Sequence, residues 1–155
     1  MRRLQAEIKQ HKPFESLEEE VYLNLLRTAD LLFRRQEYLL KTVDLSPAQY
    51  NVLRILRGAE PRGLACREIG ERMLTRDPDI TRLLDRLEKR KLVVRTRDLE
   101  DRRVIFTRVS AKGLETLKQL DQPVAQTCKA NLGHMGDKRL RQLCRLLEAA
   151  RERTS

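Results

Sequence analysis

Tryptophan is absent from this chain, and Phe and Tyr bring the aromatic share to only 4%. Any core must be built from Leu, Ile, Val and Ala, a composition usual in helical proteins. Cysteine is scarce: Cys66, Cys128 and Cys144 are far apart and form no C-x-x-C, which argues against a disulfide framework or a zinc site. Of the two His, His11 stands alone and His134 lies six residues from Cys128, too loose a pair to suggest a metal. No nucleophile–base pair, phosphate-cradling Gly loop or metal-ligand cluster stands out, so no catalytic site, metal or cofactor is expected and an enzyme is disfavoured. No apolar run approaches the roughly 18 residues of a membrane span. Met1-Arg2-Arg3-Leu4-Gln5 is followed by no apolar stretch, so a secretory leader is not expected and a reduced, cytoplasmic setting is the simplest expectation.

What is present is charge with apolar periodicity. The chain has 155 residues, of which 36% are charged and 40% apolar, enough for one folded domain. Its 33 basic against 23 acidic residues give a net charge of +10. That balance points to a polyanionic partner, nucleic acid or an anionic surface. The excess is uneven: residues 61–109 hold 14 basic and 9 acidic residues, whereas residues 1–60 hold 10 and 9. Arg outnumbers Lys by 24 to 9. Arg grips phosphates and guanine edges bidentately, which favours nucleic acid.

Leu17, Val21, Leu25, Leu32 and Leu39, flanked by Tyr22, Leu26, Ala29 and Phe33, predict one long helix over about 16–43. Leu4 and Ile8 suggest a helical piece before it, broken at Pro13. Ser46-Pro47-Ala48-Gln49 marks the next start, with a capping box and Pro at the first helical position. A short helix is expected over 65–74, where Gly70 would let another helix approach closely. A fourth, to about Arg90, is expected to be capped by Asp77 with Pro78 at its first position. The pattern then turns to period two over 92–97 and 103–109, a hairpin whose tip, 98–102, is polar. Ser110 begins another long helix with Pro123 inside it, where a kink is expected, and a last helix runs over about 137–151.

Short helix, tight turn, polar-faced helix and charged hairpin is the order of a winged helix-turn-helix. The fold class expected is mainly α with a small β-hairpin wing. A helix fits the major groove of B-DNA with its N-terminal side chains at base edges. A basic hairpin beside it can reach into the adjacent minor groove. On this reading Thr81 and Arg82 are candidate base or phosphate contacts. Asp79 is either an acceptor for cytosine or a first-turn carboxylate serving the helix terminus. Arg86 either meets phosphate or pairs with Asp85 or Glu88, and Arg76 and Arg95 are candidate phosphate clamps. Cys66 reads as a small, half-buried helix residue.

Asp79 to Arg90 followed by Leu92-Val93 resembles the recognition helix of MarR-type (multiple antibiotic resistance regulator) transcriptional regulators. Asp98-Leu99-Glu100-Asp101-Arg102-Arg103 resembles their wing, and Val109-Ser110-Ala111-Lys112-Gly113 the start of their next helix. The resemblance implies a homodimer with interlocked N- and C-terminal dimerisation helices, here 14–44 and 110–152, around a DNA-binding lobe at 46–109. It implies double-stranded DNA with a pseudo-palindromic operator as partner, repression as the usual outcome, and often release by a small aromatic or carboxylic effector bound between the dimer helices and the lobe. It makes Arg103 a minor-groove finger braced by Asp101, and Arg102 a phosphate contact. Two features depart from the family. Lys91 stands where Gly commonly ends the recognition helix, and residues 1–65 hold no Cys, so the oxidant-sensing mechanism of one branch does not carry over. The expected function is a sequence-specific DNA-binding regulator. Its alternatives are the same dimer without an effector or acting as an activator, and a winged-helix protein-interaction module. An RNA binder is disfavoured by the deep, narrow major groove of A-form RNA.

Overall fold

A computed structural model of the chain describes residues 3–76, 79–98 and 103–152. A short helix, α1 (Arg3–Glu7), leads to the long α2 (Leu17–Leu40). The Ser16 hydroxyl accepts from the Glu19 amide, and Glu18, Glu19 and Glu20 fill the first turn, where carboxylates suit the positive end of the helix dipole. The chain tightens into a 3-10 turn at Lys41–Val43 and reverses at Asp44, whose φ is 55°. α3 (Pro47–Arg57) opens on the expected capping box, with Ser46 and Gln49 bonded reciprocally. The helix-turn-helix pair is α4 (Cys66–Arg72) and α5 (Ile80–Lys89), followed by strands β2 (Val93–Arg97) and β3 (Ile105–Val109).

A two-residue strand, β1 (Leu64–Ala65), pairs antiparallel with β3 and makes the wing a three-stranded sheet in the order β1-β3-β2. Two residues give no alternation to read, so the period-two pattern could not show this strand. Gly63, at φ 77°, turns the chain into it: a Cβ there would lie 2.6 Å from the Thr107 carbonyl oxygen. α6 (Ala111–Leu132), capped by Ser110, continues unbroken through Pro123, and α7 (Gly136–Glu152) closes the described chain.

The core belongs to the lobe. Leu53, Leu56, Ile69, Leu87, Leu92 and Val93 are almost completely buried, and Leu40 from the end of α2 joins them. Leu117 and Leu120 of α6 also lie in this core. They are therefore not part of the apolar surface left over for a second subunit. That surface lies elsewhere. Leu17, Val21, Tyr22 and Leu26 of α2 are all at least half exposed, and α7 buries no residue in the single chain. No helix among the described residues is long and apolar enough to cross a membrane.

Three local expectations are corrected. α5 is capped by Asp79, whose carboxylate accepts from the Arg82 amide at 3.0 Å, so the helix starts later than a cap at Asp77 requires. Asp77 and Pro78 themselves lie outside the described residues. Gly70 is no point of close approach: a Cβ there would meet Ile80 at an ordinary 3.8 Å. Cys66 is exposed rather than half-buried.

Candidate nucleic-acid interface

The rows of α5 decide what the lobe can present. Ile80, Leu83, Leu84 and Leu87 face the core. Thr81, Asp85 and Glu88, at spacings of four and three, form a second row on the side of β2. Arg95 of β2 reaches this row. Its Nη2 lies 2.6 Å from the Asp85 carboxylate and 3.5 Å from the Thr81 carbonyl oxygen, and its Nε 3.5 Å from Glu88. With its side chain only 21% exposed, Arg95 binds the wing to the helix. The third row, Asp79, Arg82, Arg86 and Lys89, faces solvent. Asp79 caps the helix with one oxygen and holds the Arg82 guanidinium at 3.2 Å with the other. It thus serves the helix terminus, one of the two roles open to it in the sequence. Arg86 and Lys89 make no ion pair among the described residues. Arg86 thus does not pair with Asp85 or Glu88, because both of those carboxylates face Arg95.

Arg103, Thr81 and Arg95 come together around a cleft of about 400 Å³ between the start of α4, α5 and the wing. The Cys66 sulfur lies 4.0 Å from the Thr81 hydroxyl on its wall. Arg76 is exposed on the turn before α5 and does not join this cleft. Asp101 and Arg102 lie outside the described residues.

Three anchors of α5 and the lobe come from residues that local pattern does not single out. The Asn51 side chain accepts from the Leu74 amide at 2.8 Å and fixes the turn of the helix-turn-helix to α3. The Arg90 guanidinium donates to the Val43 carbonyl at 3.1 Å and also to that of Asp44, tying the end of α5 to the 3-10 turn that follows α2. Arg57 of α3 meets Asp121 of α6 through two bonds of 2.9 and 3.0 Å. The hydrogen bonds to Asp121 raise the Arg57 pKa above its ordinary value. Each pairing spans 23 to 64 residues, so no sequence window contains both partners.

The end of α5 shows how Lys91 is accommodated. The Leu92 amide bonds the Leu87 carbonyl at 3.0 Å and the Lys91 amide that of Glu88 at 2.8 Å, the paired bonds of a Schellman motif. The motif needs a left-handed residue, and Lys91 takes it at φ 60°.

Two cavities border the long helices. One, of about 260 Å³, runs between α2 and α6 and is walled by Leu32, Phe33, Leu39 and Val124. The other, about 110 Å³, lies between α2, α3 and the turn at Leu74, and includes Tyr50 and Arg54. Burial raises the Tyr50 pKa above that of a free phenol.

The MarR family model matches residues 43–104, from the end of the 3-10 turn to the residue before β3. A crystal structure of a MarR transcription factor from Planctomyces limnophilus is 44% identical, covers 88% of this chain and 99% of its own, and superposes with a TM-score of 0.68. The chain belongs to the MarR family. The transcriptional repressor CouR, solved on a 23-mer DNA duplex, is 28% identical to this MarR-family chain over 93% of it and 100% of its own length, with a TM-score of 0.76. Among curated relatives, the HTH-type transcriptional regulator MhqR of Bacillus subtilis is 32% identical over 78 residues, 49% of this chain. That match spans 51% of MhqR, about half its length. Membership places the chain among transcription regulators rather than enzymes.

Proposed function

We propose that the protein is a homodimeric, sequence-specific DNA-binding repressor whose hold on a pseudo-palindromic operator is released by a small molecule. The observation that carries the reading is the outer row of α5. It presents Arg82, Arg86 and Lys89 to solvent on a helix whose first turn is capped and whose inner rows are fixed by the core and by Arg95. Such a helix can enter a major groove without paying to order itself, because its orientation is already set. Arg82 and Arg86 are the proposed base or phosphate contacts. Thr81, turned toward the wing cleft, and Arg103 beside it are proposed to act where wing and helix meet the duplex. Arg76 is proposed as a phosphate contact. CouR on its duplex supports DNA as the partner.

The exposed apolar faces of α2 and α7 support a two-fold partner, with 14–44 and 110–152 as the dimerisation segments. The cavity between α2, α3 and the turn at Leu74, where a long helix meets the lobe, is the proposed effector site. A ligand there releases DNA only if it binds the DNA-incompatible arrangement more tightly than the competent one.

A binding-site selection with wild type, Arg82→Ala and Arg86→Ala tests the reading. Wild type should yield a two-fold motif with half-site centres about 10 base pairs apart. Loss of a base contact should relax preference at mirrored positions, at a cost of roughly 1–3 kcal/mol. Loss of a phosphate contact should lower affinity for all sequences and reduce the log–log salt slope by about 0.9. A selection that yields no two-fold motif rejects the regulator reading in favour of a protein-interaction module.

A further inference from the structure

Given the dimeric regulator reading above, on which this rests, we infer that Arg90 is a positioning residue for operator recognition. It fixes the angle of the recognition helix on the dimerisation segments, and so sets the half-site spacing that the dimer accepts. The lobe leaves α2 at the 3-10 turn of Lys41–Val43, and Asp44 reverses the chain there at φ 55°. This junction leaves a carbonyl that its own neighbours cannot serve. The Ser46 amide donates to the Gln49 side chain at 2.9 Å, and Pro47 has no N–H. The Val43 carbonyl thus lacks both donors that a continuing helix would give it. Arg90, 47 residues away, takes their place. Its Nη2 lies 3.1 Å from the Val43 carbonyl oxygen and 3.5 Å from the Asp44 carboxylate, and its Nη1 donates to the Asp44 carbonyl. A planar guanidinium spans these acceptors, whereas an ammonium carries the charge but not the fork.

The backbone at the same point is held from the other segment. The Arg90 carbonyl accepts from Lys112 Nζ at 3.1 Å, and the Lys91 carbonyl from the Ser110 hydroxyl at 2.7 Å. Ser110 caps α6 and Lys112 lies in its first turn. Residues 90 and 91 are therefore bonded both to the turn after α2 and to the start of α6. The Arg57–Asp121 pair ties α3, not α5, to α6. Apolar packing presses the lobe onto these helices without fixing an angle, because it is non-directional. Hydrogen bonds fix one. One extra base pair between half-sites displaces the second by about 3.4 Å and turns it by about 35°. A recognition helix held at one angle rejects that change, and a loosened one follows it.

The test uses the full chain and the duplex selected by wild type, with versions that gain or lose one central base pair. Fluorescence anisotropy reads affinity for wild type, Arg90→Gln, Arg90→Lys and Lys112→Met. Wild type should lose roughly tenfold or more on either altered duplex. Both Arg90 variants should narrow that ratio to about threefold or less, with the salt slope unchanged. Lys112→Met, which severs the tie from α6, should narrow it in the same direction. Arg90 variants that keep the wild-type ratio, whatever their loss of affinity or stability, overturn the inference. So does a phosphate contact, seen as wild-type binding by Arg90→Lys with a slope lower by about 0.9 in Arg90→Gln. A wild type that selects a two-fold motif but ignores its spacing overturns the inference alone. One that selects no such motif rejects the regulator reading. Thermal melts of the same preparations show whether each variant is folded. If the Arg90 variants are not, Lys112→Met, which leaves the guanidinium in place, decides the outcome by its spacing ratio.

Discussion

Lys91 holds a left-handed backbone at φ 60°, and the fold accommodates it at a cost. A left-handed backbone is close to free for Gly and strained for a residue with a Cβ. Lys91→Gly should therefore stabilise the protein by about 0.5–1 kcal/mol, the strain relieved less the extra freedom Gly has when unfolded. In a chain of this size that is roughly 1–4 °C in Tm, readable by thermal melting. An unchanged or lower Tm would mean that the left-handed turn costs Lys91 nothing. Gly113 has the opposite sign. It sits in the first turn of α6 directly against the hairpin, and a Cβ there would lie 2.3 Å from the Leu92 carbonyl oxygen and 2.8 Å from Val109. The same carbonyl accepts from the Ser110 amide at 3.0 Å, so it cannot move away without losing that bond. Gly113→Ala should cost about 1–3 kcal/mol, measured by urea unfolding, because the clash is with backbone and not with a side chain that can rotate.

Among elements, the recognition helix and the wing behave as one piece because Arg95 joins them. Its guanidinium faces Asp85 and Glu88, and its side chain is mostly buried. It reads in sequence as one more candidate phosphate clamp; in the fold its charge faces the protein. We therefore expect Arg95→Gln to weaken duplex binding with little change in the salt slope, because the loss is of helix placement and not of a phosphate contact. Asp85→Asn should do the same, and the double variant should be no worse than either single one, since both remove one pairing. Titrations of the three variants at several salt concentrations would show it. A fall of about 0.9 in slope for Arg95→Gln alone would restore it to the phosphate contacts. At this scale the sequence is legible where the signal is local. The Ser46–Gln49 capping box, the Ser110 cap and the two long strands of the wing appear where spacing puts them. The start of α5 is less so, because Asp77 and Asp79 are both good caps two residues apart and local chemistry ranks them equally.

For the whole molecule, the single chain leaves a long apolar stripe uncovered on α2 while its lobe core is complete. Leu25, Leu26, Val21 and Leu17 are exposed by 38% to 65%. Such a stripe on a 24-residue helix is unfavourable in water and is proposed to close against a second copy. Leu25→Asp together with Val21→Asp should shift the protein to a monomer at micromolar concentration by sedimentation, with a matching loss of operator affinity, since two half-sites are then no longer held by one molecule. A stable wild-type monomer that still binds a two-fold operator tightly would overturn the dimer.

Composition and periodicity by themselves determined that this protein is helical with a small wing, that its middle third is the basic one, and that Ser46 and Ser110 begin two of its helices. These are properties of windows of a few residues, in which backbone and neighbouring side chains compete directly. Only the tertiary structure decided which row of α5 meets solvent and which meets β2, that Leu117 and Leu120 are core and not interface, and that Arg57, Arg90 and Asn51 anchor the lobe. Those outcomes depend on partners up to 64 residues away. A charge or an amide has the same local signature whether it ends facing water, a phosphate or a carboxylate brought in by the fold.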